Sequence, residues 1–165
     1  MMNEMKIRKT QPEDLEEVLL IYETARDFMI RTNNPNQWGK HWPPKELIKQ
    51  DIKEQKSYVC IQKNKILAVF YFEIAQDPTY DKIYEGNWID NKKNYGVVHR
   101  IASLRIVKGA ASYCMEWAYS QCKNIKIDTH KQNIPMQNML KKLGYKYCGI
   151  IYTHDGTERL AFQKC

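Results

Sequence analysis

No stretch of this chain approaches the ~18 consecutive apolar residues that a membrane helix needs. Its opening, MMNEMKIRKT, has no apolar segment of the secretory-signal kind. A cytoplasmic protein without a membrane partner is therefore expected. Glycine (7) and proline (6) are sparse in 165 residues, which excludes a collagenous or linker-rich chain. Internal repeats and low-complexity tracts are missing as well. The five cysteines, Cys60, Cys114, Cys122, Cys148 and Cys165, are odd in number and form no CxxC pair. They read as reduced thiols, neither a disulfide frame nor a zinc site, and no metal is expected. Lys and Arg total 26 against 19 Asp and Glu, a net charge of +7, yet the longest local clusters are pairs such as Lys92-Lys93 and Lys141-Lys142. That charge keeps a nucleic-acid-associated protein as an alternative. The aromatic-basic strand motif of RNA-binding sheets is absent, which ranks nucleic acid last among partners.

What is present is the composition of a folded domain: 43% hydrophobic and 27% charged residues. The length suits a single domain spanning residues 1–165. A short strand is expected at 6–8. Thr10-Gln-Pro-Glu13 reads as a capping box for a helix carrying Leu15, Val18, Leu19, Tyr22, Ala25 and Met29 at helical spacing. Residues 31–44 read as a loop, followed by a helix over 45–54 with Leu47, Ile48 and Ile52 as its apolar stripe. The runs 58–61 and 66–74 predict a hairpin turning at Lys63-Asn64. After a variable stretch, 76–94, a strand is expected at 97–102, a helix from Gly109, a strand at 125–128 and a helix over 133–143 stopped by Gly144. A strand pair, 145–152 and 159–162, turns around Asp155-Gly156. The order β-α-α-β-β-β-α-β-α-β-β is a mixed α/β architecture.

The strand at 97–102 leads into a helix whose first turn is Gly109-Ala110-Ala111-Ser112. Small residues there let backbone N–H groups approach an anion, which the helix dipole favours, with Arg105 and Lys108 adding charge. The same residues also suit close helix–sheet packing. Met136 and Met139 read as core, and the thiols as bystanders.

The stretch 98–102, Gly109-Ala-Ala111, Glu116-Trp117-Ala118, Asp128-Thr-His130, Asn133 and Lys141-Lys-Leu-Gly-Tyr145 together resemble the GNAT superfamily of acetyltransferases. The resemblance covers nearly the whole chain and implies a GNAT-like, mostly antiparallel sheet flanked by helices. It implies acetyl-CoA as co-substrate and transfer of its acetyl group to a primary amine of a small molecule or peptide. In that family a Q/R-x-x-G-x-G/A loop cradles the coenzyme pyrophosphate. By resemblance Lys108, Gly109, Ala110, Ala111 and Ser112 take this part, and Asn133 contacts the coenzyme. The backbone of Ile101, Ala102 and Ser103 would hold the pantetheine and the acetyl oxygen. Two positions depart from the pattern: Ile106 fills the Q/R place, and Leu140 stands where the family often has a tyrosine acid. The second departure keeps open a non-catalytic acyl-CoA-binding or regulatory domain.

For the general base, His99 and Glu73 are the candidates. Their alternatives are a structural imidazole in the sheet and a solvated strand end. His130 is expected to orient a loop. Trp38, Trp42, Tyr84 and Trp88, with Tyr80 nearby, are expected to wall the acceptor site, and Asp77, Asp81 and Glu85 to attract an amine. The same aromatics could instead cover a sheet edge or form a homodimer contact. Abundant Lys, Asn and Ile hint at a low-GC bacterial source.

Overall fold

The computed structural model describes residues 4–91 and 94–165; residues 1–3 and the Lys92-Lys93 pair lie outside them. The elements are β1 (Lys6–Lys9), α1 (Leu15–Arg31), α2 (Lys45–Lys53), β2 (Ser57–Gln62), β3 (Lys65–Ile74), β4 (Gly96–Ser103), α3 (Ala110–Cys122), β5 (Ile125–Thr129), α4 (Ile134–Lys142), β6 (Lys146–Tyr152) and β7 (Glu158–Lys164). This is the mixed α/β order that the sequence predicts. Lys63 and Asn64 both take left-handed φ values, 51° and 61°, as a two-residue hairpin twisted with its strands requires.

One seven-stranded sheet runs β1-β2-β3-β4-β5-β7-β6. Every neighbouring pair is antiparallel except β4–β5. Helix α3 and Leu140 of α4 cover one face, packing Cys114, Met115 and Ala118 on Phe70, Phe72, Val98, Ile125 and Phe162. On the other face, Val18, Ile21 and Tyr22 of α1 and Ile48 and Ile52 of α2 pack on Val59, Val69 and Ala102. Farther along that face no α-helix is present among the described residues; a 3-10 turn, Pro78–Tyr80, and the side chains of Tyr80, Trp88 and Tyr95 lie over Val97, Ile151 and Ala161. Strand β3 is thus covered on both sides, which explains its nearly unbroken apolar run.

The capping box differs from the expectation by one residue. Thr10 is buried and its hydroxyl bonds Ser57 Oγ at 2.7 Å, tying the end of β1 to β2. The carboxylate that turns back is Asp14, which accepts from the Gln11 N–H at 2.7 Å and from Arg8 at 2.7 Å; Glu13 is exposed. A 3-10 turn, Pro12–Asp14, separates strand from helix and shifts the frame.

Two irregularities in β4 shape the centre of the sheet. It pairs with β5 only at Gly96↔Ile125 and Val97↔Lys126, so beyond Val97 the two strands part. Against β3, Val69 pairs Ala102 and Tyr71 pairs His99, leaving Arg100 and Ile101 opposite Phe70 alone. That is a β-bulge, and Arg100 takes a left-handed φ of 51° within it.

Candidate active site

A cavity of about 870 Å³ opens where β4 and β5 part. Its walls are residues 97–101 of β4, 127–129 of β5, Trp38 and Trp42 from the loop between α1 and α2, and the β6–β7 hairpin at 153–155. Among the residues singled out from sequence, the cavity gathers His99, Glu73, Ile101, Asn133, Trp38 and Trp42.

His99 Nε2 lies 2.8 Å from Asp77 Oδ2. Asp77 Oδ1 accepts in turn from the Thr79 N–H at 2.9 Å and the Thr79 hydroxyl at 2.7 Å. Burial pushes the Asp77 carboxyl up, but the bonds from His99 and Thr79 outweigh it and hold the pKa at about 2. An ionised carboxylate only accepts, so Nε2 carries the hydrogen of this bond. Glu73 has other partners. The Tyr71 hydroxyl donates to its Oε2 and the Lys56 ammonium stands 3.0 Å from Oε1. The Tyr71 bond and the Lys56 charge, against a smaller cost of burial, hold Glu73 below the usual carboxylate range, while burial and Glu73 push the Tyr71 phenol up.

Arg100 projects from the bulge into a bidentate pair with Asp51 of α2, both bonds 2.9 Å long. Its guanidinium carbon sits 4.6 Å from the centroid of the Tyr71 ring. At the far wall Arg159 reaches Gln37 O at 3.2 Å and Asp128 at 3.7 Å, and Tyr80 donates to Asp128 at 2.6 Å. Arg159 Nη1 and Thr129 Oγ1 are buried without a hydrogen-bond partner among the described residues. Asn133 caps α4 by accepting from the Met136 N–H at 3.1 Å, and donates to Gln37 Oε1 at 2.9 Å. His130 Nδ1 accepts from the Gln132 N–H at 3.1 Å in the turn before α4, and burial first, then the Arg159 and Lys131 charges, lower its pKa.

The residues expected at the pyrophosphate follow β4, in the connection to α3 and its first turn, outside the cavity wall. Gly109 caps α3 with φ 93°, and a Cβ built there would meet nothing within 4 Å. No acidic residue occupies the first turn of α3. Lys108 is exposed, while Arg105 lies 3.7 Å from the centroid of the Phe28 ring. Ala102 and Ala110 are buried; Ser103, Ala111 and Ser112 are half-buried.

Tyr84 and Trp88 are elsewhere. Tyr84 bridges to Ile150 on the edge of β6, with bonds of 2.8 and 2.7 Å, and packs on Tyr152. Trp88 is 7% exposed, donates to Tyr80 O at 2.9 Å and lies over the buried Lys126 ammonium. Sequence reasoning missed Asp77 as the partner of His99, and the Asp51–Arg100 pair. Each joins residues far apart in the chain, with no local spacing to signal it.

No family model matches the chain, and no curated protein does. A crystal structure of a GNAT-family acetyltransferase from Streptococcus agalactiae matches with a TM-score of 0.89 and 32% identity, over 97% of this chain and 94% of that one. The chain belongs to the GNAT acetyltransferase family. Less similar solved structures share its fold. A GNAT-family acetyltransferase from Listeria monocytogenes matches at TM-score 0.70 and 16% identity over 97% and 94% of the two chains. The ribosomal-protein-S18-alanine N-acetyltransferase of Escherichia coli matches at 0.63 and 14% over 98% and 93%. Within this GNAT frame Leu140 is wholly buried in the core, and Ile106 is 59% exposed beside the α3 turn.

Proposed function

We propose that this GNAT protein transfers the acetyl group of acetyl-CoA to a primary amine of a small molecule or peptide. The observation that carries the proposal is the cavity in the split between β4 and β5, with an aspartate-oriented imidazole on its β4 wall. The parting strands free backbone polar groups on β4, and Ile101, Ala102 and Ser103 supply them to the pantetheine and the acetyl oxygen. The first turn of α3, from Gly109 to Ser112, supplies N–H groups and the positive end of a helix dipole to the pyrophosphate, and Lys108 adds charge. The open space over Gly109 and the lack of an acid in that turn fit such a group. Asn133, at the mouth of α4, supports the coenzyme from the β5 side.

The amine nitrogen attacks the thioester carbonyl carbon, the carbon–sulfur bond breaks, and coenzyme A leaves as its thiolate. His99 Nδ1 takes the proton that the amine sheds, and the Asp77 carboxylate holds the imidazole in the receiving tautomer and offsets the charge it gains. Glu73 is the weaker candidate because Tyr71 and Lys56 occupy its oxygens. A thiol titrates near ~8.5, so the thiolate can leave at neutral pH without the tyrosine that Leu140 replaces.

Calorimetric titration with acetyl-CoA, with adenosine 3′,5′-bisphosphate as control, tests the coenzyme. Thiol release across a panel of amines tests the transfer. His99→Gln should lower thiol release with the best amine by about 10²-fold while acetyl-CoA still binds. Coenzyme binding without thiol release from any amine would favour a non-catalytic acyl-CoA-binding domain; no coenzyme binding would overturn the acetyltransferase reading.

A further inference from the structure

The geometry points to Asp51 as a positioning residue that acts through Arg100 to hold the β4 bulge where its backbone meets the acetyl group. This inference rests on the acetyl-CoA reading above. The bulge places two residues, Arg100 and Ile101, opposite one, so a residue of β4 leaves the ladder with β3 just where β5 has already turned away. Ile101 and Arg100 both line the cavity at this point.

A bulge residue with a Cβ and a φ of 51° does not hold that conformation unaided, because the left-handed region crowds Cβ against the carbonyl. Such positions persist where the surroundings over-determine them. Here the constraint comes from two sides. The Asp51 carboxylate takes the guanidinium through Nε and Nη2, both at 2.9 Å, and the Tyr71 ring backs it at 4.6 Å. Tyr71 is itself fixed by its bond to Glu73. Asp51 side-chain exposure is 5% and that of Arg100 is 14%, so the pair is nearly desolvated and little screened by salt. Burial pushes the Asp51 carboxyl up and the Arg100 charge opposes it.

A buried ion pair is a poor source of stability compared with apolar residues of the same volume. What it supplies is direction: two parallel bonds set the guanidinium plane, and with it the backbone from which the side chain springs. Asp51 lies between Ile48 and Ile52 on the packed face of α2, the helix that follows the Trp38–Trp42 loop. The strut therefore joins the wall expected at the acceptor to the strand expected at the thioester.

The test compares the affinities of acetyl-CoA and free CoA by calorimetry, in wild type and in Asp51→Asn. Only acetyl-CoA has the carbonyl that the bulge backbone would hold. The variant should bind acetyl-CoA about three- to tenfold more weakly, the worth of one hydrogen bond, with CoA affinity unchanged within about twofold. Arg100→Lys, which keeps the charge but not the planar fork, should shift the preference the same way. Equal losses for both ligands, or no loss for either, would overturn the strut. Failure of both variants to fold would assign the pair to stability alone and overturn it too. Wild type that binds neither ligand would instead overturn the acetyl-CoA reading, and this inference with it.

Discussion

His99 and Glu73 stand on adjacent strands with different company, and the company separates their chemistry. Tyr71 and Lys56 both favour the Glu73 anion, and an anion so satisfied has little affinity left for a proton. His99 has Nε2 committed to Asp77, which leaves Nδ1 as the nitrogen proposed to receive the proton. Asp77 is then the residue whose replacement reads most cleanly. Its folded pKa of about 2 lies below the ~3.9 of an unfolded aspartate, so it binds fewer protons in the native state. Its contribution is fully present above about pH 4 and is lost as pH falls through 2, on the order of 2 kcal/mol. Asp77→Asn should be less stable than wild type by roughly that amount at pH 7, and the gap should close towards pH 2. Urea unfolding at several pH values measures it; a gap constant with pH would mean that the His99 bond does not govern this carboxylate. Thiol release should also fall in the variant, because an amide can present either its oxygen or its NH2 group to Nε2 and no longer fixes the tautomer.

Among the elements, the join between β4 and α3 concentrates the coenzyme assignment. Gly109 is needed there for its backbone and not for room: φ is 93°, yet a Cβ would touch nothing within 4 Å. Gly109→Glu should therefore cost only the strain of a left-handed side chain, about 1–2 kcal/mol, and leave the fold intact. It puts a carboxylate at the amide-rich end of α3, where it competes with any bound anion. Acetyl-CoA affinity should fall at least ~10-fold while Tm shifts by only a few degrees. Affinity that survives the glutamate would overturn the loop assignment. The opposite case is Leu140, also marked by the family pattern, whose burial against the sheet commits it to packing. Motif position made both residues conspicuous, and only the surroundings tell which faces a ligand.

Across the whole molecule, the parts legible in the sequence are those governed by local periodicity. Helical spacing and β-branched runs marked the eleven strands and α-helices described, though not the two 3-10 turns, and the small residues after β4 marked the α3 turn. Contacts that cross the fold were not legible. Asp77 meets His99 because the connection carrying Asp77, Tyr80 and Trp88 folds over the sheet, and Asp51 meets Arg100 because α2 lies against the bulge. The aromatics show the same limit, since composition says how many there are and not which way they face. Trp42 is 45% exposed on the cavity wall, whereas Trp88 is 7% exposed and roofs a buried lysine. Lys126 sits with Nζ 4.4 Å from the Trp88 centroid and 4.2 Å from that of Tyr95, and donates to Asn91 at 2.8 Å. Removing the Trp88 ring would leave a void, free the Tyr80 carbonyl from its indole partner and strip one face from the ammonium. Trp88→Ala should thus destabilise by about 3–5 kcal/mol. Trp42→Ala should change stability by no more than about 0.5–1 kcal/mol and act on the KM of the acceptor. Denaturant unfolding separates the two, and equal midpoints would mean that the connection carrying Trp88 is no part of the core. A large Trp88 effect with unchanged acetyl-CoA affinity would fix this connection as the layer that takes the place of an α-helix, with Trp38 and Trp42 on the cavity wall.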